Sequence, residues 1–238
     1  MVSIAGSKKL KRQMAPQFWG ITRKSKRFVI TVRPGPHKKN YSVPTAVFLR
    51  DTLKIVTSLR EAKSAIYSGK VKIDGVVRKS LHHAIGLMDV VELENVPDIY
   101  RLVPSEKKLL TPIKINKSEK SKKLVRVISK TTINKGKMQI GFHDGRSLIL
   151  DTKLNVGDTC LIQIPDLKIL EVIKMEAGCQ CMVTRGVNAG QIGKIETIEK
   201  GTFILPKRAV LVLGDRKIEI PYDIVMAIGK EEPVIQLK

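Results

Sequence analysis

Residues 50–80 read RDTLKIVTSLREAKSAIYSGKVKIDGVVRKS, and this stretch, extended outward from Ser42 to Glu94, organises the reading of the whole chain. A first helix is predicted from about Thr45 to Val56. A second opens at Ser58, where Glu61 three residues on completes a capping box, and Gly69 closes it. Leu59, Ala62, Ile66 and Gly69 recur at three- and four-residue steps, which predicts one buried stripe with Arg60, Lys63, Ser64 and Tyr67 on the other side. Val71 and Ile73 lead into Asp74-Gly75, a pair that accepts the positive φ angles of a two-residue hairpin, and Val76-Val77 leads out.

Between residues 50 and 79 stand eight basic side chains, Arg50, Lys54, Arg60, Lys63, Lys70, Lys72, Arg78 and Lys79, against the three acids Asp51, Glu61 and Asp74. An anionic partner is implied. Arg50 and Lys54 are i,i+4 neighbours on the predicted first helix, and Arg60 and Lys63 are i,i+3 neighbours on the second, so each pair can face one phosphate track. A solvated helix face has the same pattern, and this stretch alone does not separate the two.

The two helices, the GKVxIDGxVxxS hairpin and the later strand MDVVEL resemble the small RNA-binding module shared by bacterial ribosomal protein S-four, pseudouridine synthases and a tyrosyl-tRNA synthetase tail. The resemblance implies an RNA partner. It selects no function, because that module is joined to many kinds of chain.

Composition narrows the choice. The 238 residues are 42% hydrophobic, enough for one to three small cores. Forty-four Lys and Arg against 22 Asp and Glu leave a net charge of +22, which favours a polyanionic partner. Residues 1–137 hold 31 basic and 9 acidic side chains, whereas residues 138–238 hold 13 of each, so the whole surplus precedes Met138. Three cysteines, Cys160, Cys179 and Cys181, with no apolar leader before them point to a reducing, cytoplasmic setting. No window approaches the roughly 18 consecutive apolar residues of a membrane span.

Residues 1–40 carry eleven Lys and Arg and no acid, in the clusters KKLKR, RKSKR and RPGPHKK. The cationic candidates here are Lys8, Lys9, Lys11, Arg12, Arg23, Lys24, Lys26, Arg27, Lys38 and Lys39. Like-charge repulsion and thin apolar content predict an extended arm that orders on a polyanion. Trp19, the single Trp of the chain, either stacks on a base or packs on the body, and packing is the favoured reading.

The string KKLKRQMAPQFWGITRKSKRF followed by RPGPHKK closely resembles the N-terminal region of the S-four-e family of small-subunit ribosomal proteins, found in archaea and eukaryotes. That resemblance implies four parts: a basic arm (1–40), the S-four-like module (41–105), a central β domain (106–174) and a C-terminal small β-barrel (175–238). The expected class is therefore α+β, multidomain and mostly β.

Residues 106–137 add eleven basic side chains against Glu106 and Glu119, and much of this is expected to join the RNA footprint. The prolines of VPDIYRLVP mark a boundary before them. LVRVIS, MQIGFHDGRSLIL turning at Asp144-Gly145, NVGDTCLIQIP and KILEVIKM read as short strands with turns between them. In CQCMVTRGVNAGQIGKIETIEKGTF, Gly186, Gly190 and Gly193 interrupt a strand pattern and predict a turn with positive φ and close backbone approach. Val183, Gly186, Asn188, Gly190, Gly193 and Ile195 resemble the Kyprides-Ouzounis-Woese motif, a loop that commonly lies against RNA, although Arg185 stands where many relatives carry another glycine. Arg185, Asn188 and Lys194 are its candidate RNA contacts, with a protein-facing or structural role the alternative. FILP, AVLVLG and KIEIP are expected to complete the strands.

Catalytic signatures are missing from the sequence. Cys179-x-Cys181 lacks a second ligand pair for zinc and reads as strand cysteines. His82-His83 read as surface or base-contacting residues. No phosphate loop, nucleophile elbow or dinucleotide fingerprint occurs, and the Arg-Leu-Asp tripeptide that marks pseudouridine synthases is absent. The reading that results is a structural, non-enzymatic constituent of the small ribosomal subunit, cytoplasmic and ribosome-bound. Its expected partners are small-subunit rRNA and neighbouring small-subunit proteins, with no cofactor, metal, membrane or small-molecule substrate. A free RNA-binding factor of translation or transcription elongation is the alternative.

Overall fold

The computed structural model describes residues 9–94, 96–106, 109–133, 136–150, 154–214 and 216–237. Its N-terminal segment does not extend away from the body. Strand β1 (Leu10–Lys11) pairs antiparallel with β2 (Phe28–Val29), and the loop between them sends Ala15, Trp19 and Ile21 into the same core as Val32, Phe48, Ile66 and Ile85. Trp19 is 1% exposed, and its indole N–H donates to the Ser42 carbonyl at 2.8 Å. The extended arm expected from repulsion is thus corrected for residues 9–40. Apolar residues spaced between the basic clusters anchor the segment, and its described lysines and arginines other than Arg12 stay outside.

Strand β3 (Val43–Pro44) leads into a short helix α1 (Thr45–Val47), which widens into a π turn over Phe48–Thr52. The first helix therefore ends four residues before Val56. The Leu53 N–H reaches back five residues to the Phe48 carbonyl at 2.9 Å, and Lys54 adopts a left-handed φ of 56°. The β-branched run Ile55-Val56-Thr57 has little reason to continue a helix. Arg50 and Lys54 consequently do not share a helical face.

Helix α2 (Leu59–Tyr67) begins as predicted: Ser58 Oγ accepts from the Glu61 N–H at 3.2 Å, and the Glu61 carboxylate accepts from the N–H groups of Ser58 and Thr57. Gly69 ends it at φ +84°. Ala62 and Ile66 are buried, but Leu59 is 41% exposed. As the first helical residue it projects past the edge of the core, so the stripe starts one turn later than the spacing suggested.

Strand β4 (Val71–Ile73) turns at Asp74-Gly75 into β5 (Val76–Val77), with φ of 52° and 76° at the two turn residues. Strand β6 (Ala84–Ile85) pairs back to β3. Strands β7 (Val90–Leu93), β8 (Ile99–Val103) and β9 (Thr111–Ile115) complete a five-stranded antiparallel sheet in the order β5-β4-β7-β8-β9. The sheet runs on past residue 105, with Pro112 in its edge strand, where a missing N–H costs no ladder bond.

A second antiparallel sheet contains β10 (Lys122–Thr132), β11 (Met138–Phe142), β12 (Ser147–Ile149), β13 (Thr159–Gln163) and β14 (Lys168–Ile173) in the order β12-β11-β10-β13-β14. A third contains β15 (Gln180–Val183), β16 (Ile192–Glu199), β17 (Arg208–Leu213), β18 (Arg216–Pro221) and β19 (Val225–Gly229) in the order β18-β17-β16-β15-β19. The described chain is mostly β with few helices. FILP is not a strand: Phe203, Ile204 and Leu205 form an exposed tip between β16 and β17, held by the Thr202 N–H donating to the Leu205 carbonyl at 2.8 Å.

Candidate nucleic-acid interface

Most of the basic residues singled out from the sequence do face solvent. Lys9, Lys11, Arg23, Lys24, Lys26, Arg27, Lys38 and Lys39 are exposed along the N-terminal segment, and Lys54, Arg60, Lys63, Lys70, Lys72 and Lys79 are exposed in the region of α2 and the first hairpin. Lys194 is exposed on β16. Lys8 lies outside the described residues. Lys9 and Arg27 flank the exposed Phe28 ring at 5.8 and 5.4 Å, and Lys63 stands 5.7 Å from the Tyr67 ring. Such cation–ring contacts are worth about 0.5–1 kcal/mol at exposed sites.

Other candidates are engaged by the protein's own groups. Arg12 is 7% exposed and donates to the carbonyls of Lys26 at 2.7 Å and Thr22 at 3.0 Å, closing the loop between β1 and β2. Arg50 is bound by its neighbour Asp51 at 2.7 Å. Arg78 is half-buried over a small polar cavity that it shares with Asp74, Asp89 and Lys123. His82 is also turned inward, its Nδ1 lying 2.7 Å from the Thr31 carbonyl oxygen, and His83 is half-buried; neither is a free surface residue.

The largest departure is Lys123, counted by sequence in the basic footprint of residues 106–137. Its side chain is 0% exposed. Nζ donates to Asp89 at 2.6 Å and Asp74 at 2.7 Å and lies 3.2 Å from Asp144, while His37 reaches Asp89 at 3.0 Å and Arg146 reaches Asp74 at 2.8 Å. Burial disfavours the ammonium, but the three carboxylates overcome this and raise its pKa. Burial likewise pushes the Asp89 carboxyl up, yet the charges of His37 and Lys123 hold it well below the ordinary range. In the sequence both turn aspartates, Asp74 and Asp144, read as hairpin residues. Their pairing with one lysine locks the first hairpin, the second hairpin and the N-terminal segment together. Arg101, also fully buried, donates to Glu119 and to the carbonyls of Lys122 and Gln236, tying β8 to the chain terminus. Sequence carried no signal for either cation, since a lysine or arginine in a basic run looks like its neighbours.

His143 borders the same cluster. Its Nδ1 accepts from the Arg126 N–H at 3.1 Å and its Nε2 lies 3.2 Å from the Leu87 carbonyl, an arrangement that suits the neutral ring. Burial, only partly opposed by Asp144, lowers its pKa from the ordinary 6.5 to about 4. Between those values the unfolded chain binds the extra proton, so stability is full above about pH 6.5 and falls as the pH drops toward 4. His83, lowered by burial and by Arg78, acts in the same direction. Denaturant titrations from pH 7 to pH 4 should show a loss of order 3 kcal/mol, and His143→Gln should flatten that segment of the curve. A wild-type stability that stays level over this window would refute the neutral assignment.

The glycine loop behaves as its residues suggest. Gly186 and Gly190 have φ of +98° and +84°, and a Cβ on Gly190 would fall 2.5 Å from the Pro104 carbonyl oxygen. Val183 and Ile195 are buried anchors on β15 and β16. Arg185 and Asn188, three residues apart, open onto different surfaces. The Arg185 guanidinium lies 4.4 Å from the centre of the Tyr41 ring, beside Lys38 and Lys39, whereas Asn188 lines a groove with Ser105 and Ile113. Cys160, Cys179 and Cys181 are free and buried; burial raises the thiols of Cys160 and Cys181 to about 11 and about 12. Among the described residues no group of His, Cys, Asp and Glu is arranged to hold a metal, and no helix is long and apolar enough to cross a membrane.

Comparisons agree with this architecture. The family described as Ribosomal family S4e matches residues 97–169, and the RS4NT (NUC023) domain matches residues 5–40. The chain is 39% identical over 236 residues to the small ribosomal subunit protein eS4 of Pyrobaculum arsenaticum, covering 96% of this chain and 98% of that one. It is 37% identical over 238 residues to the eS4 protein of Methanothermobacter thermautotrophicus, covering 100% and 98%. The crystal structure of the 30S ribosomal protein S4e from Thermoplasma acidophilum matches with a TM-score of 0.69 at 34% identity, covering 81% of this chain and 97% of that chain. With relatives aligned over essentially its full length and their fold reproduced, the chain belongs to the ribosomal family S4e.

Proposed function

We propose that the protein is a structural constituent of the small ribosomal subunit, bound to rRNA in the cytoplasm, supporting subunit assembly and translation without catalytic chemistry. The observation that carries this is the segregation of charge: the entire surplus of 22 positive charges precedes Met138, and most of those side chains face solvent on a folded scaffold. Neutralising rRNA phosphates releases counterions and draws the chain onto RNA. The parts proposed are the basic arm (1–40), an S-four-like module (41–105), a central β domain (106–174) and a small β-barrel (175–238). With aromatics only 4% of the chain, selectivity rests mainly on RNA shape. Neighbouring small-subunit proteins are the further partners, and the name shared by the aligned relatives supports this placement.

Arg60 and Lys63 provide the test. Both are exposed on α2, opposite the buried Ala62 and Ile66. Changing both to Ala should alter folding stability by no more than about 0.5 kcal/mol. The slope of log affinity for small-subunit rRNA against log salt should fall by roughly two units. Ile66→Ala is the stability control, since Ile66 is fully buried. An unchanged salt slope in the double variant would remove α2 from the interface. Retention on small subunits through a high-salt wash separates a subunit constituent from a loosely held factor.

A further inference from the structure

A cleft of about 800 Å³ opens where the N-terminal segment, the second sheet and the third sheet meet. Its lining combines two chemistries. Leu87, Leu110, Ile128 and Phe142 contribute an apolar lining, and Arg33, Lys38, Lys39, Arg126 and Arg185 bring five cations against the single carboxylate of Asp223, Arg126 being already held by the backbone carbonyls of Tyr222 and Asp223. The stacked Tyr41-Arg185 pair forms one wall. Resting on the rRNA-binding reading above, we infer that this cleft takes one unstacked nucleotide of the rRNA, its base against the apolar lining and the Tyr41-Arg185 wall and its phosphates on the lysines and arginines.

The shape and charge favour a nucleotide over a peptide. The volume lies in the range of roughly 300–1,000 Å³ that accommodates small-molecule-sized groups. An apolar peptide would leave five cations crowded without counter-charge, whereas each nucleotide brings a flat apolar face and an anion together. Bases splayed from single-stranded RNA stack on aromatic rings or on guanidinium planes, and Arg185 and Tyr41 offer both in one place. The neutral charge balance of residues 138–238 is consistent with this, because Arg185 acts through the cleft rather than through a broad basic surface.

Full-length protein and small-subunit rRNA transcribed in vitro make the test. Ile128 and Tyr41 are both exposed at the cleft, so Ile128→Ser and Tyr41→Ala should retain the wild-type circular dichroism and melting temperature. Each should weaken rRNA binding about 10-fold, the order expected for a lost base stack. The salt slope should stay as in wild type, since no phosphate contact is removed, and Tyr41→Phe should bind normally. In reconstituted subunits, p-benzoylphenylalanine at position 128 should crosslink to one unpaired nucleotide, mapped as a reverse-transcription stop. Normal affinity of both variants, a crosslink to a protein tail, or crosslinks spread along a duplex would each overturn the inference while leaving rRNA binding intact. Failure of the wild-type protein to bind rRNA would sink the functional reading as well.

Discussion

Lys123→Met is expected to destabilise the protein by about 3–5 kcal/mol, the cost of stranding buried charges by removing one partner. At this chain length that corresponds to a fall in Tm of on the order of 10 °C. The reason is geometric. Three carboxylates, Asp74, Asp89 and Asp144, lie between 2.6 and 3.2 Å of one buried ammonium, and each belongs to a different turn of the fold. Methionine fills much the same volume, so the loss would be electrostatic rather than a cavity effect. Asp144→Asn in the Lys123→Met background should recover part of the stability, because it removes one stranded charge. Equilibrium denaturation of the single and double variants measures this, and a loss below about 1 kcal/mol for Lys123→Met would show that the carboxylates are solvated or protonated instead.

Trp19→Ala should cost about 3–5 kcal/mol, the range for deleting a large buried aromatic. The indole is sealed in the core it shares with Phe48 and Ile66, and its N–H bond to the Ser42 carbonyl would be lost with it. Because Trp19 is the only tryptophan, the free protein reports on itself: its emission should be blue-shifted and resistant to quenching, and should move red only on global unfolding. Solvent-like emission from the folded protein would mean that the N-terminal segment is released off the ribosome. The placement also bears on how the arm's charge is probed, since truncation at residue 40 would remove Trp19, Ile21 and Val32 from the core along with eleven basic residues.

Local features were legible because their causes are local. The capping box at Ser58 and Glu61, the positive-φ turn at Asp74-Gly75, and the close approach at Gly190 each follow from a few adjacent residues and recur in the structure at those residues. The bounds of α1 and the exposure of Leu59 were not legible, since both depend on where a core made by distant segments stops.

The amino-acid sequence alone determined the mostly-β character, the family resemblance and the segregation of positive charge before Met138, for composition and short-range pattern are properties of the chain itself. Which charges face outward was decided only by the tertiary structure. Lys123 and Lys122 are adjacent lysines on β10, yet the pleat sends Lys123 into a three-carboxylate cage and leaves Lys122 exposed. Arg185 became part of a cleft because Tyr41, far away in sequence, lies beneath it. A lysine's role is set by the carboxylates or solvent it meets after folding, and those are brought to it by residues tens of positions away.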